Sequence, residues 1–179
     1  MILDFENKVP FADMQQIYNF VYNSTYKLGW ADREDEKFVP NIHSNWSLED
    51  VEKSGLLEHL KKLDDTLKYN IEKNFHKCIV NLSKSGDYNF CHTHKDQTVI
   101  LYYVNLDWQD GWGGETIFYN ETMSEASKTV LYKPNRAILF DGNTPHSIRP
   151  SSHIAPQYRF TLGIFFQQPN FIEEAKNNT

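Results

Sequence analysis

The spacing of apolar residues changes at about residue 76 of this chain. Before that point, apolar side chains recur every three or four residues over residues 10–28 and again over residues 47–72, a pattern that predicts two amphipathic helices. Gly55 interrupts the second pattern. The segment between the two helices, residues 30–46, is charged and irregular and is predicted to be a loop.

After residue 76, apolar and polar residues alternate in short runs, which are separated by clusters of glycine, proline, asparagine and aspartate. The alternation predicts seven or eight strands, over Lys77–Lys84, Tyr88–His94, Thr98–Asn105, Glu115–Tyr119, Lys128–Tyr132, Ala137–Phe140, Ser147–Arg149 and Tyr158–Gln167. Short strands at this spacing are typical of a sandwich or barrel. We therefore predict a mainly β protein with N-terminal helices (α+β), in which a double-stranded β-helix, a jelly roll of the cupin-like type, is backed by the helices.

Length and composition favour a single domain over residues 1–179, with a helical part at 1–75 and a jelly-roll core at 76–168. The net charge of -6 and the thin spread of lysine and arginine argue against a nucleic-acid surface. With only two cysteines, a disulfide framework or a zinc ribbon is excluded. Neither a membrane-spanning run nor a signal-peptide pattern is present, so we expect a cytoplasmic protein with no membrane partner.

Candidate metal ligands come directly before the most strand-like run of the sequence, residues 98–105. His92, His94 and Asp96 are spaced two residues apart, and on a strand such residues project from one face. A further histidine, His146, follows an apolar strand and a tight turn far downstream. Two neighbouring ligands and a distant histidine form the pattern of a facial triad, which binds iron and leaves positions open. Because a lone histidine is more often structural, this hypothesis depends on the combination.

A candidate anion site lies on the last predicted strand. Arg159 and Thr161 are two residues apart and share one face, where a guanidinium fork and a hydroxyl would suit a carboxylate. Tyr103 adds a phenol on the strand that follows the metal ligands. The simpler interpretation is an arginine paired with a surface acid and a tyrosine packed in the core.

In combination, these residues resemble the iron- and 2-oxoglutarate-dependent oxygenases, most closely the prolyl-hydroxylase branch. The segment Leu101–Trp108 is similar to a strand of the oxygen-sensing prolyl hydroxylases, and Gly113–Thr116 is similar to the Gly-Gly-Glu-Thr of collagen-type prolyl 4-hydroxylases. Leu139–His146 and Tyr158–Thr161 match the C-terminal half of the family. The resemblance covers residues 76–167, roughly half of the chain.

The resemblance implies a role for each of these residues. His146 would be the distal iron ligand. Arg159 would bind the distal carboxylate of 2-oxoglutarate, with help from Thr161 and from the hydroxyl of Tyr103. The resemblance also implies Fe(II) as cofactor, 2-oxoglutarate as cosubstrate and ascorbate as an accessory reductant. Oxidative decarboxylation of 2-oxoglutarate would then yield succinate and carbon dioxide while an unactivated C–H bond is hydroxylated.

The proximal ligands depart from the family pattern, which is His-x-Asp. One frame uses His94 and Asp96 and keeps the carboxylate, but it leaves only Gln97 as the turn before the next strand. The other frame uses His92 and His94, leaves Lys95–Gln97 as the turn, and places a histidine where the family has an acid. The second frame is favoured on turn length, and it would give the metal site one more positive charge than usual.

The substrate is the part of the function that the residues define least. By resemblance alone, a peptide or protein side chain, for example a prolyl group, is favoured over a small molecule. Trp108, Trp112 and Tyr119 flank the glycine-rich turn and would line a substrate cleft or pack in the core equally well. Two other functions stay open at this point: a cupin-like metalloenzyme that does not use 2-oxoglutarate, and a non-catalytic jelly-roll binding module.

Overall fold

A computed structural model describes the chain over residues 2–31, 33–34, 41–64, 67, 71–155 and 158–167. The strands in this part of the chain are β1 (Ile2–Glu6), β2 (Lys27–Trp30), β3 (Asn41–Trp46), β4 (Phe75–Ser83), β5 (Asn89–His92), β6 (Thr98–Tyr103), β7 (Thr116–Tyr119), β8 (Ala126–Val130), β9 (Arg136–Asp141), β10 (His146–Ile148) and β11 (Arg159–Phe166). The helices are α1 (Phe11–Tyr22), α2 (Leu48–Lys53) and α3 (Leu56–Leu60).

The strands form two antiparallel sheets. The larger sheet has the order β1-β9-β6-β11-β4-β3-β2, and the smaller sheet has the order β5-β10-β7-β8. Strands that are distant in sequence lie side by side: β11 lies between β4 and β6, and β10 lies between β5 and β7. This interleaving is the double-stranded β-helix expected from the sequence, so the predicted jelly-roll fold is confirmed.

Two hydrophobic cores lie on opposite faces of the larger sheet. Alternation along β11 shows the division, since Phe160, Leu162 and Ile164 pack under the helices while Phe165 packs between the sheets. Tyr103 of β6 also belongs to the core between the sheets. This second core forms the walls of the candidate site described below.

The helices cover the outer face of the larger sheet. α1 buries Met14, Ile17 and Val21 in the amphipathic pattern that the sequence predicts. α2 begins at a capping box, in which the Ser47 hydroxyl accepts a hydrogen bond from the backbone N–H of Asp50. None of the described helices has both the length and the apolar character needed to cross a membrane.

The N-terminal helices are shorter than the apolar pattern predicts. The first ends at Tyr22, before the end of its periodic segment. The second is divided into α2 and α3 by Gly55, whose backbone is left-handed with a φ of 85°. The predicted interruption at Gly55 is therefore confirmed, whereas the predicted extent to residue 72 is wrong because α3 ends at Leu60; residues 65–66 and 68–70 of that segment lie outside the described part of the chain.

Residues 1–75 also contain strands, which the sequence pattern does not predict. The predicted loop at 30–46 is wrong for residues 41–46, which form β3, while residues 32 and 35–40 lie outside the described part. β1 pairs with β9, and β3 pairs with β4. Short strands such as β3 have little alternation of their own, so pairing with a longer neighbour decides their conformation.

The strands predicted after residue 76 are all present, with ends that shift by a few residues. One shift matters for the site, because β5 ends at His92 instead of His94. His94 and Asp96 therefore lie in the connection between β5 and β6. The assumption that the three residues project from one face of a strand is wrong.

Candidate metal centre

Three histidines converge between the two sheets. His92 is the last residue of β5, His94 lies two residues further along, and His146 begins β10, where it pairs with His92 across the sheet. One nitrogen from each ring can be chosen so that the three atoms lie within 4.8 Å of one another. The ring centroids are 4.5, 4.8 and 5.1 Å apart. The register between β5 and β10 thus joins histidines that are far apart in sequence.

Backbone carbonyls fix the tautomer of two of these rings. His92 Nδ1 lies 2.8 Å from the carbonyl oxygen of Phe90, and His146 Nδ1 lies 2.9 Å from that of Thr144. A carbonyl oxygen accepts only, so Nδ1 carries the hydrogen in each ring and Nε2 keeps its lone pair. Such an outer hydrogen bond is the usual support of a metal-binding histidine.

Burial keeps the imidazoles in the form that binds metals. Desolvation, reinforced by the neighbouring imidazoles and by Lys77, lowers the pKa of His94 to about 2. Desolvation and the neighbouring ring of His92 lower the pKa of His146 to about 3. Both rings are therefore neutral near pH 7, and a neutral imidazole is a nitrogen ligand for a divalent cation.

Gly142 positions the connection that carries His94. The backbone N–H of His94 donates to the carbonyl of Gly142 at 2.7 Å, and the N–H of Gly142 donates to the carbonyl of Gln97 at 2.8 Å. A Cβ atom at Gly142 would lie 2.5 Å from the His94 carbonyl oxygen and 2.6 Å from that of Gln97. Only glycine lets the turn after β9 approach the ligand-bearing connection this closely.

Asp96, the alternative ligand, lies outside the histidine cluster. It is exposed, and its backbone is left-handed with a φ of 56°. Its N–H lies 3.3 Å from the side-chain oxygen of Asn143, in the neighbouring turn. Among the His, Cys, Asp and Glu side chains of the described residues, the group that could hold a metal comprises His92, His94 and His146.

Phenylalanine rings surround the three histidines. Phe165 packs edge-on against His94 with centroids 4.7 Å apart, and Phe140 packs edge-on against His146 at 4.9 Å. Phe118 lies 6.0 Å from His146. An apolar surrounding of this kind limits the access of water and strengthens electrostatic interactions at the centre.

Arg159 is a buried cation on the same face of β11 as Phe165. It is 1% exposed, and within the described chain no carboxylate lies within ion-pairing distance of it. Nε donates to the carbonyl oxygen of Gly114 at 3.0 Å, and Nη1 donates to the Thr161 hydroxyl at 2.6 Å. Nη2 is buried and has no hydrogen-bond partner. A buried cation with an unused donor is suited to an anionic ligand, because a carboxylate would satisfy both needs.

Two tyrosine rings and a glycine confine the guanidinium. Its central carbon lies 4.5 Å from the ring centroid of Tyr132 and 5.6 Å from that of Tyr103. A Cβ atom at Gly114 would lie 2.9 Å from Cδ and Nε of Arg159, and the φ of Gly114 is +82°. Glycine is therefore required at this position of the turn, because a larger residue would overlap the arginine side chain.

Hydroxyl groups complete the surroundings of Arg159. The Tyr103 and Thr116 hydroxyls are 2.6 Å apart, and both side chains are fully buried. Thr161 pairs with Tyr103 in the register of β11 and β6, which places both on the inner face. Burial is the main cause that raises the pKa of Tyr103 to about 12, so its phenol stays protonated and can donate.

The aromatic residues that flank the glycine-rich turn make packing contacts. The indole nitrogen of Trp108 donates to the carbonyl of Gly113 at 3.0 Å, and its ring packs edge-on against Trp112 with centroids 5.4 Å apart. The hydroxyl of Tyr119 lies 3.0 Å from that of Ser147. These contacts favour the structural interpretation of the three side chains.

The residues singled out from the sequence fall into two groups and one outlier. The first group is His92, His94 and His146, the second is Tyr103, Arg159 and Thr161, and the outlier is Asp96. Sequence reasoning missed Thr116 and Tyr132 as neighbours of the arginine. The alternation of β7, in which Thr116 and Phe118 are buried, was a usable signal for the threonine. Nothing in the local sequence marks Tyr132.

Solved structures with the same fold include several prolyl hydroxylases. A prolyl-4-hydroxylase from Pseudomonas putida matches with a TM-score of 0.64 and 12% identity, over 93% of this chain and 92% of that chain. The viral collagen prolyl hydroxylase of Paramecium bursaria Chlorella virus-1, in a 2OG complex, matches with a TM-score of 0.63 and 13% identity, over 93% and 95%. A prolyl hydroxylase from Trichoplax adhaerens, in complex with a hypoxia inducible factor peptide fragment, matches with a TM-score of 0.58 and 16% identity, over 97% and 86%. At these identities the similarity shows the fold alone.

The family is shown by the sequence itself. No curated protein matches the chain. The sequence model of the 2OG-Fe(II) oxygenase superfamily, however, matches residues 69–167, which is more than half of the chain. The described residues fit the two cofactors of that family, because three imidazoles suit a divalent iron and the unused Nη2 of Arg159 suits a carboxylate. The chain therefore belongs to the 2OG-Fe(II) oxygenase superfamily, and its cofactors are Fe(II) and 2-oxoglutarate.

Proposed function

We propose that this oxygenase hydroxylates a C–H bond of a peptide or protein substrate, with a prolyl side chain as the first candidate, and releases succinate and carbon dioxide. The observation that carries the proposal is a cluster of three histidines on the same side of β11 as a buried arginine whose Nη2 has no partner. The cluster suits a divalent metal, and the arginine suits the carboxylate of a 2-oxo acid.

In this proposal His92, His94 and His146 hold the iron, and Asp96 does not. The hydrogen bonds from Nδ1 to the carbonyls of Phe90 and Thr144 leave the Nε2 lone pairs of His92 and His146 available to bind the metal. All three ligands would be neutral, so the bound iron would keep one more unit of positive charge than it has beside a carboxylate.

Arg159 is proposed to bind the distal carboxylate of 2-oxoglutarate through Nη2. Nε and one N–H of Nη1 are already held by Gly114 and Thr161, so the cation is oriented before the ligand arrives. The Tyr103 hydroxyl, protonated and paired with Thr116, supplies a second donor. Bound iron supplies the activation of dioxygen that couples decarboxylation of 2-oxoglutarate to C–H hydroxylation. The protein contributes position and an apolar surrounding.

The substrate class rests on similarity of fold. One similar structure, the Trichoplax adhaerens prolyl hydroxylase, is a complex with a peptide fragment, and another is a collagen prolyl hydroxylase. A peptide substrate is therefore our first choice for this chain, and a small molecule is the alternative. Screening peptides with central proline against free amino acids, with succinate as the readout, separates the two.

Turnover of 2-oxoglutarate tests the assignment of Arg159 and His146. Succinate formation should require Fe(II) and should fall at least about 100-fold in Arg159→Ala and His146→Ala, because each removes a ligand contact with no substitute. Lys53→Ala is the control, since that cationic side chain is 59% exposed and pairs with the exposed Glu49 on α2, away from the site. Succinate formation that survives Arg159→Ala would show that this arginine does not bind the cosubstrate, whereas Fe(II)-dependent turnover of a substrate without succinate would support a metalloenzyme that does not use 2-oxoglutarate.

The choice of proximal ligands has its own test. His92→Ala should weaken Mn(II) binding at least about 100-fold, whereas Asp96→Ala should change it by less than about threefold, because Asp96 is exposed and outside the cluster. Calorimetric titration with Mn(II) measures both. The opposite ranking of the two variants would assign the carboxylate as the ligand.

A cytoplasmic location is also proposed. It is supported by the two cysteines, Cys78 and Cys91, which are both free. Fractionation of cells that produce the protein tests it.

A further inference from the structure

The backbone on both sides of Arg159 is held by two side chains from other parts of the chain. Asn105 Nδ2 donates to the carbonyl of Tyr158 at 2.7 Å, and Asn105 Oδ1 accepts the N–H of Phe160 at 2.9 Å. The Tyr132 hydroxyl lies 2.6 Å from the carbonyl of Phe160 and 2.6 Å from Asn105 Oδ1. Asn105 therefore contacts the backbone before and after Arg159, and Tyr132 contacts the backbone after it.

These contacts occur where the pairing of β11 with β6 has not yet begun. The register of β11 with β6 begins at Thr161, two residues after the start of β11. Beyond that point the carbonyl of Phe160 accepts one backbone hydrogen bond on this side of the strand, from the N–H of Val104 at 3.2 Å. The side chains of Asn105 and Tyr132 add polar contacts to it, and both residues are nearly or fully inaccessible to solvent.

Tyr132 also contacts the guanidinium directly. Its ring lies beneath the cation at 4.5 Å and stacks on the Tyr103 ring with centroids 4.5 Å apart and an interplanar angle of 22°. One residue therefore holds the backbone of Phe160 with its hydroxyl and the charged end of Arg159 with its ring. Arginine has many rotamers, and each one that is excluded before binding lowers the entropic cost of binding.

We propose that Asn105 and Tyr132 are a positioning pair for Arg159, and that they set the affinity of the protein for 2-oxoglutarate. The inference rests on the proposed role of Arg159. The pair acts through the arginine: it fixes the start of β11 and the plane of the guanidinium, so that Nη2 is the donor left for the cosubstrate. Neither residue is assigned a contact with the iron or with the substrate.

Tyr132→Phe tests the pair with the smallest change, because it removes the hydroxyl and keeps the ring beneath the cation. Calorimetric titration of the Mn(II)-loaded protein with 2-oxoglutarate should give a dissociation constant about three- to tenfold higher than that of the unchanged protein, which is the effect of one hydrogen bond. The KM for 2-oxoglutarate should rise by the same factor, with kcat within about twofold. The affinity for Mn(II) should not change.

Tyr102→Phe is the matched control. Tyr102 is the neighbour of Tyr103 on β6, is 2% exposed, and its hydroxyl lies 3.4 Å from Asn135 on the helix side of the sheet. The Tyr102→Phe variant loses a buried hydroxyl that does not contact Arg159, so it should bind 2-oxoglutarate as the unchanged protein does. Equal 2-oxoglutarate affinities in Tyr132→Phe and Tyr102→Phe would overturn the inference.

A second variant covers the case in which Tyr132→Phe does not fold. Asn105→Ser removes the contacts to Tyr158 and Phe160 from the other member of the pair, and it should weaken 2-oxoglutarate binding in the same direction with Mn(II) binding retained. Unchanged 2-oxoglutarate affinity in this variant would also overturn the inference. Arg159→Ala distinguishes failure of the proposed function from failure of this inference. If Arg159→Ala keeps its affinity for 2-oxoglutarate, the proposed function fails. If Arg159→Ala loses this affinity while the Tyr132 and Asn105 variants keep it, the proposed function stands and only the positioning pair is rejected.

Discussion

At the residue scale, glycines decide how close functional groups can come. Gly114 lies against the arginine side chain, where a Cβ atom would be 2.9 Å from both Cδ and Nε. Its carbonyl oxygen also accepts the hydrogen bond from Nε. One position therefore supplies both the space and the acceptor that orient Arg159, and any larger residue would displace the guanidinium.

Gly114→Ala should raise the KM for 2-oxoglutarate by about tenfold or more. The added methyl group must push Arg159 away, and a shift of that size at a ligand-binding group is costly because the site is already packed. The measurement is succinate formation as a function of 2-oxoglutarate concentration, together with a titration of the Mn(II)-loaded protein.

Gly111→Ala is the control for Gly114→Ala. Both glycines have positive φ, +88° and +82°, so both variants carry the backbone strain of a left-handed alanine. Only Gly114 has neighbours within contact distance of the added atom, since a Cβ at Gly111 would meet nothing within 4 Å. Equal KM values in the two variants would show that strain, and not contact with Arg159, is responsible.

At the element scale, the centre depends on two connections that touch. The β5–β6 connection carries His94, and the β9–β10 turn carries Gly142 and leads into His146. Two backbone hydrogen bonds, at 2.7 and 2.8 Å, join the connections. His94, which lies outside any strand, is thus positioned by backbone hydrogen bonds to the neighbouring turn.

Gly142→Ala should separate the two connections. Because the added Cβ would lie 2.5 Å from a backbone oxygen, the backbone must move, and we expect the free energy of unfolding to fall by about 1–3 kcal/mol. Mn(II) affinity should fall about tenfold or more, since His94 moves with its connection. Denaturant unfolding and metal titration measure the two effects.

Gly86→Ala provides the comparison for Gly142→Ala. Gly86 lies in the turn between β4 and β5, and a Cβ there would meet nothing within 4 Å. Its variant reports the effect of replacing a turn glycine on the unfolded chain, together with the backbone strain of an alanine at a φ of +84°. If Gly86→Ala lowers Mn(II) affinity as much as Gly142→Ala does, the contact with His94 is not the cause.

At the scale of the whole molecule, two histidines of the cluster link stability to pH. His94 and His146 stay neutral in the folded chain because their pKa values are lowered to about 2 and about 3. In the unfolded chain each titrates near its ordinary value of about 6.5. Between those limits the unfolded state binds more protons, so the free energy of unfolding rises with pH and falls as the pH is lowered.

The metal-free protein should therefore lose stability as the pH falls below about 6.5, by up to about 1.4 kcal/mol per pH unit for each histidine. Denaturant unfolding in the presence of a chelator, at a series of pH values, gives the slope. His146→Asn should remove its share of the slope. A free energy of unfolding that stays level between pH 7 and pH 5 would contradict the expectation.

The strands after residue 76 were predictable because short apolar runs are separated there by clear turn signals. Alternation is visible in β7, whereas β6 and β11 are apolar runs that are buried on both faces. The strands β1, β2 and β3 were not predictable, because their sequences mix polar and apolar residues without a clear strand pattern, and their conformation depends on pairing with neighbouring strands. The extent of the second helical segment was wrong because its leucine spacing continues past Gly55, although that glycine is a helix-breaking signal in the sequence itself.

The sequence by itself determined the family, the jelly-roll core and the list of residues able to bind a metal and a carboxylate. Those features depend on local spacing and residue type, which are visible in one dimension. Only the tertiary structure decided that β5 ends at His92, that His94 turns back toward the cluster while Asp96 faces solvent, and that Tyr132 lies beneath Arg159. Each of these depends on contacts between segments distant in the chain, such as the turn at Gly142, and no local pattern records such contacts.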